Sequence, residues 1–154
     1  QDDELLSITI VRRSETMAGE TWEWPHTKKW PKFSGKKVDI VKKMFLAGEA
    51  MNVNNFAKFY TDECHYQFGN FPVAHTPQEI IDASAGFIEK CEGLHHSIKN
   101  IWETDDGTLI CQMEVTYVGH DGRVHTLPCC NTFKFEGDKV KELRIYMDVN
   151  PLFG

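Results

Sequence analysis

Two periods of apolar positions divide the chain near Gly93, helical before it and alternating after it. Val38, Val41, Phe45 and Gly48 fall on one face of a helix that starts near residue 36, with Ser34 placed to cap it. A short helix over residues 53–60 and a strand over residues 64–68 follow. Thr76-Pro77-Gln78-Glu79 then has the form of a helix start: threonine as cap, proline in the first turn, glutamate three residues on. That helix carries Ile80, Ile81, Ser84, Phe87, Ile88 and Cys91, and Gly93 ends it. Beyond it, residues 95–103, 108–118, 124–135 and 139–149 alternate as strands, joined by turns at Asp105-Asp106-Gly107, Asp121-Gly122 and Gly137-Asp138. Helices first and an antiparallel meander after predict an α+β layout in which helices cover one face of a curved sheet.

Residues 1–33 have no such period, and they hold Trp22, Trp24 and Trp30, three of the four tryptophans. Rings of that size are rarely left in water, so this segment is expected to lie across the domain of residues 34–154 or across a second subunit, as core cover or as a lid. At 154 residues the chain makes one domain large enough to enclose a small-molecule cavity.

A net charge of -6 and the absence of a clustered basic surface argue against nucleic acid as a partner, although Lys28, Lys29, Lys32, Lys36 and Lys37 lie close together. No apolar run is long enough to span a membrane, and Gln1-Asp2-Asp3-Glu4 does not resemble the basic start of a secretory signal. Cys64, Cys91, Cys111, Cys129 and Cys130 form no Cys-x-x-Cys pair and read as reduced thiols of a cytoplasmic protein. His95-His96 is adjacent rather than spaced for a metal, and there is no glycine-rich phosphate loop, so neither metal nor cofactor is expected.

Strand parity selects the candidates for chemistry. His96, Ile98, Asn100 and Trp102 share a face, which makes His96 an inward imidazole, either moving a proton or held in a structural network. Gln112, Glu114 and Thr116 alternate with the more apolar Cys111, Met113, Val115 and Tyr117. Ordinary patterning exposes Glu114, whereas a sheet that dimerises through its outer face buries both sets and frees Glu114 for a cavity, where desolvation favours its acid form. Cys129, Asn131 and Phe133 share one face of the next strand, and a polar Asn131 among apolar neighbours needs a partner. Leu143, Ile145 and Met147 oppose Arg144, Tyr146 and Asp148 on the last strand, while Tyr66 and Asn70 stand where the first strand leaves the sheet and offer hydrogen bonds.

Phe59-Tyr60-Thr61-Asp62-Glu63, Phe68-Gly69-Asn70-Phe71-Pro72, Gly93-Leu94-His95-His96, Glu114-Val115-Thr116-Tyr117, Leu127-Pro128-Cys129 and Arg144-Ile145-Tyr146-Met147-Asp148, in that order and spacing, resemble the SnoaL-like branch of the nuclear transport factor two-like superfamily. The superfamily also holds ketosteroid isomerases, scytalone dehydratase and limonene epoxide hydrolase, and the resemblance spans about residues 36–152. It implies a cone of strongly curved, mostly antiparallel sheet, with three N-terminal helices enclosing an apolar pocket, and a homodimer. Pocket positions of the family map onto Tyr66, Asn70, His96, Glu114 and Asn131. Cys129, Trp102, Gln112, Ile145 and Met147 complete the expected binding set.

The implied activity is cofactor-free proton transfer, as in cyclisation, isomerisation or dehydration, on an apolar polyketide, terpenoid or steroid-like molecule, with His96 or Glu114 as the proton-moving group. A non-catalytic binding protein for an apolar metabolite, or a dimeric interaction module, is the other reading. Limonene epoxide hydrolases are similar at Tyr66 and Asn70-Phe71-Pro72. They also need an Asp-Arg-Asp set, and this chain has Gln112 at the arginine position, with Glu114 and Ile145 at the two acids.

Overall fold

The computed structural model describes the backbone of residues 3–7 and 27–31 and all of residues 34–153. The segment with Trp22 and Trp24, and the side chain of Trp30, are outside what is described, and with them the expected tryptophan-rich cover. Strands β1 (Asp3–Ser7) and β2 (Thr27–Pro31) pair antiparallel, with Leu5 opposite Lys29, in a stretch where the sequence pattern shows no strand.

Three helices follow: α1 (Lys36–Glu49), α2 (Val53–Ala57) and α3 (Pro77–Ile88). The expected Ser34 cap is replaced by Gly35, at a φ of 138°, with no side-chain cap. Lys37 instead ties the first turn down, bonding the Glu103 carboxylate at 3.0 Å and the Gly107 carbonyl at 2.9 Å. Asn52 caps α2 by accepting from the Asn55 amide, and α2 stops before Tyr60, which opens a strand. The Thr76 cap forms as the sequence predicts, its hydroxyl accepting from the Glu79 amide at 3.2 Å. Glu79 reaches back one residue further than the motif requires, to the His75 amide.

Strands β3 (Tyr60–Phe68), β4 (Cys91–Glu103), β5 (Leu109–Gly119), β6 (Val124–Glu136) and β7 (Lys139–Tyr146) form one mixed sheet in the order β3-β7-β6-β5-β4. Only the β3–β7 pairing is parallel. The β6–β7 turn is tight, with Glu136 opposite Lys139 and Gly137 at a φ of 58°, a left-handed conformation that glycine adopts without strain. Val38, Val41, Met44 and Phe45 of α1 pack with Leu109, Cys111, Phe133 and Leu143 of the sheet into one core. The result is the curved α+β cone implied by the resemblance, with its helices on one face of the sheet.

Register shifts bend this sheet and reset its parity. One extra residue, Lys99, is inserted in β4 between the Ile98–Met113 and Asn100–Gln112 pairs. Ile98 keeps the inward parity of His96, but past the bulge Ile101 takes the next inward position and Trp102 turns to the outer face at 50% exposure. The continuous face that placed Asn100 and Trp102 beside His96 does not exist. Asn100 instead donates to the Gln112 side chain across the outside of the sheet at 3.0 Å.

Candidate functional site

Helices and sheet enclose a cavity of about 400 Å³, within the size range of small-molecule sites. Its floor is built from inward residues of every strand of the cone: Tyr66 of β3, Ile145 of β7, Asn131 of β6, Tyr117 of β5, and Leu94 and His96 of β4. Phe45 and Gly48 of α1 and Ser84 and Phe87 of α3 form the roof. Ile80 is the one wholly buried residue of α3, because the helix turns Ala83, Ser84, Phe87 and Ile88 to the cavity instead of to the sheet. Phe71 and Pro72 stand at the rim, Phe71 at 45% exposure, after a turn in which the Phe71 amide donates to the Phe68 carbonyl. Gly69 holds that turn with a φ of 53°.

The lining contains no Asp, Glu, Lys or Arg among the described residues, so its polar chemistry rests on a few neutral groups. His96 is the most elaborately held of them. Glu49, buried in the last turn of α1, accepts the His96 backbone N–H at 2.6 Å, and the same oxygen lies 3.1 Å from Nδ1. Phe45 stacks on the imidazole, its ring centre 4.5 Å from that of His96 and its plane 11° from parallel. Carboxylate and stacked ring together fix the imidazole plane and its Nδ1 partner. Glu49 is the candidate-site residue that sequence reasoning missed. It lies four residues after Phe45 on the buried stripe of α1, and a carboxylate on an apolar stripe is a signal in its own right.

Asn131 is the second polar group of the floor. It is buried, and its Oδ1 accepts the Cys129 thiol at 3.2 Å, which orients the amide and leaves Nδ2 as a donor at the cavity wall. Burial pushes the Tyr66 phenol up to about 12, opposed by a hydrogen bond with Ser84, so Tyr66 serves as a neutral hydrogen-bonding group and not as a base. Tyr117 is raised well above the ordinary range by burial, and its hydroxyl donates to the Met147 sulfur at 3.3 Å.

Of the residues expected at the site, Tyr66, His96, Asn131 and Ile145 line the cavity. The others stand elsewhere. Glu114 and Gln112 are exposed on the outer face, because the apolar set Cys111, Met113, Val115 and Tyr117 takes the inward positions of β5 as ordinary patterning dictates. Trp102 is outside through the β4 bulge. Asn70 is exposed in the rim turn, Met147 stands behind Tyr117, and Cys129 lies beneath Asn131 without lining the cavity. Arg144 pairs with Glu142 at 2.7 Å, and Asp148 accepts from the Asn150 amide as the chain enters a final 3-10 turn (Asn150–Phe153). Among the described residues no group of His, Cys, Asp or Glu is placed to hold a metal, and no helix is long and apolar enough to cross a membrane.

A nucleophilic role for Cys129 is disfavoured by the same burial, which raises its thiol to about 12. Cys111 is pushed up further, and Cys64 is also raised, both mainly by burial. Iodoacetamide at about pH 8 is therefore expected to alkylate the half-buried Cys130 of the native protein before Cys64, Cys111 or Cys129, as read by peptide mass spectrometry. Early labelling of Cys129 would show an accessible thiolate in the cavity floor.

Residues 41–143 match the family model of the SnoaL-like domain. The chain belongs to the SnoaL-like family. Among curated proteins none matches its sequence. Solved structures share the SnoaL-like fold at low identity. An NTF2-like protein of unknown function from Burkholderia pseudomallei superposes with a TM-score of 0.70 at 10% identity, covering 78% of this chain and 96% of its own. A protein named as a SnoaL-like polyketide cyclase from Jannaschia sp. gives 0.66 at 17% identity, covering 77% and 89%. An LEH-like epoxide hydrolase from M. tuberculosis gives 0.64 at 13% identity, covering 77% and 86%. The SnoaL-like fold is thus one that small-molecule isomerase and cyclase-type proteins use.

Proposed function

We propose that this SnoaL-like protein catalyses cofactor-free proton transfer at carbon on an apolar, ring-bearing substrate, with His96 as the acid–base group. The observation that carries the reading is the Glu49–His96 pair, a buried carboxylate holding an imidazole at the wall of an apolar cavity. A proton leaves a carbon beside a carbonyl to His96 Nε2, and the negative charge develops on the carbonyl oxygen. Asn131 Nδ2 and the Tyr66 hydroxyl are the donors available to that oxygen. The imidazolium formed is balanced by Glu49, and returning the proton to a second carbon completes an isomerisation. Attack of the enolate carbon on a second carbonyl of the substrate instead closes a ring, the proton passing to that carbonyl's oxygen. Loss of a β-hydroxyl group, which takes the proton from the imidazolium and leaves as water, completes a dehydration.

The aromatic lining favours flat ring systems. Phe45, Phe56, Phe68, Phe87 and Tyr117 offer faces and edges to a polycyclic or aromatic ketone. Epoxide opening of the limonene epoxide hydrolase type finds no support, since Gln112 and Glu114 are outside the cavity and the described lining has no Asp-Arg-Asp set.

Incorporation of deuterium from D₂O into 2-tetralone and related ring ketones, followed by proton NMR without cofactor, tests the reading. Glu49→Gln keeps the acceptor for the His96 backbone but removes the charge that balances the imidazolium, and is expected to slow exchange by about 100-fold. Unchanged exchange in Glu49→Gln would remove Glu49 from the mechanism. Tight binding of the same ketones with no exchange above buffer would instead make this a binding protein.

A further inference from the structure

A second cavity, of about 340 Å³, adjoins the first and differs from it in chemistry. Phe87 and Tyr117 line both, and their rings meet edge to face at 5.5 Å and 82°, so this aromatic pair is the partition between them. On the far side the lining changes from neutral to cationic. Lys90, just past the end of α3, and Arg123, from the β5–β6 turn, face the space with His120 and His125, against one carboxylate, Asp121. Asp121 is already committed: Arg123 Nε donates to it at 2.7 Å, the Arg123 amide at 3.0 Å, and these bonds lower its pKa. Lys90 pairs with no carboxylate among the described residues, and its ammonium lies 5.4 Å from the centre of the Phe153 ring. In a chain whose net charge is -6, a concave site with cations in excess is a local reversal of sign.

We propose that this cavity is the anion-binding end of the substrate site, taking a carboxylate attached to the ring system that fills the main cavity, with Lys90 as its principal charge. The inference rests on the proposed function, since it assigns that substrate an acidic side chain. A ketone bound between Phe45 and Phe87 would pass its side chain around the Phe87–Tyr117 edge and place the carboxylate among Lys90 and the two imidazoles. The carboxylate then also fixes which end of the ring system faces His96, and so which carbon loses its proton.

The test uses 4-(1-pyrenyl)butyric acid and its methyl ester, which share a fluorescent ring system and differ in charge. The whole protein is expected to bind the acid about tenfold more tightly than the ester, with the preference shrinking as salt is added. Lys90→Met is expected to abolish the preference while leaving ester affinity unchanged. Equal affinity of the wild type for acid and ester, with both bound, overturns the subsite and leaves the main cavity standing. Equal weakening of both compounds by Lys90→Met also overturns it. Failure of the acid to bind overturns the subsite, while deuterium exchange into the ring ketones still reads the proposed function on its own.

Discussion

His96→Ala is expected to lower the rate of proton transfer to and from carbon by about 10²–10⁴-fold, the range that a positioned acid–base group contributes. The expectation follows from the neutral lining of the cavity. Among the described lining residues no carboxylate or amine stands ready to replace the imidazole, and Tyr66 is held in its neutral form. Affinity for an unreactive ring ligand should change far less, since most of the apolar wall remains. Loss of the ring also leaves Phe45 without its stacking partner, so thermal melts of the variant establish that the cone is intact. An intact His96→Ala protein with wild-type exchange would move the chemistry elsewhere.

Phe133→Ala is expected to destabilise the fold by about 3–5 kcal/mol, measured as a fall in ΔG of unfolding in urea. Phe133 has no exposed surface, and its ring lies 6.2 Å from that of Phe45 and 6.4 Å from that of Phe135. It thereby braces from below the residue on which His96 stacks. Truncation leaves a void among close-packed neighbours, which costs more than the transfer of the lost atoms alone. Phe133→Leu, which keeps most of the volume, should cost less than half as much. A loss below about 1 kcal/mol for the alanine variant would mean that the core collapses onto the void.

Element types and order were legible because each rests on local chemistry. The Thr76 cap and the Gly137-Asp138 turn appear where the pattern puts them. By contrast, α3 ends at Ile88 and β4 opens at Cys91, so Cys91 is not on the helix and Gly93 lies inside a strand, paired with Val118, instead of ending a helix. Within the site, Tyr66, Asn131 and Ile145 were readable by alternation from apolar neighbours, and His96 by the parity of the first half of β4. The second half of β4 was not readable. The extra residue at Lys99 leaves no local mark in the sequence, and it turned Trp102 outward. Glu114 fell to a simpler rule: the more apolar of two alternating sets is the buried one. Glu49 was hidden because its partner is 47 positions away in sequence, and only the packing of α1 against β4 brings carboxylate and imidazole together.

The proposed role of His96, held by Glu49, is to move a proton at carbon inside the apolar cavity. It is tested most directly by the rate at which deuterium from D₂O enters a bound ring ketone, compared between wild type and His96→Ala. Exchange well above the buffer rate is expected in the wild type, and its loss in the variant. Exchange at the buffer rate across the whole ketone panel, or equal exchange in the two proteins, would contradict it.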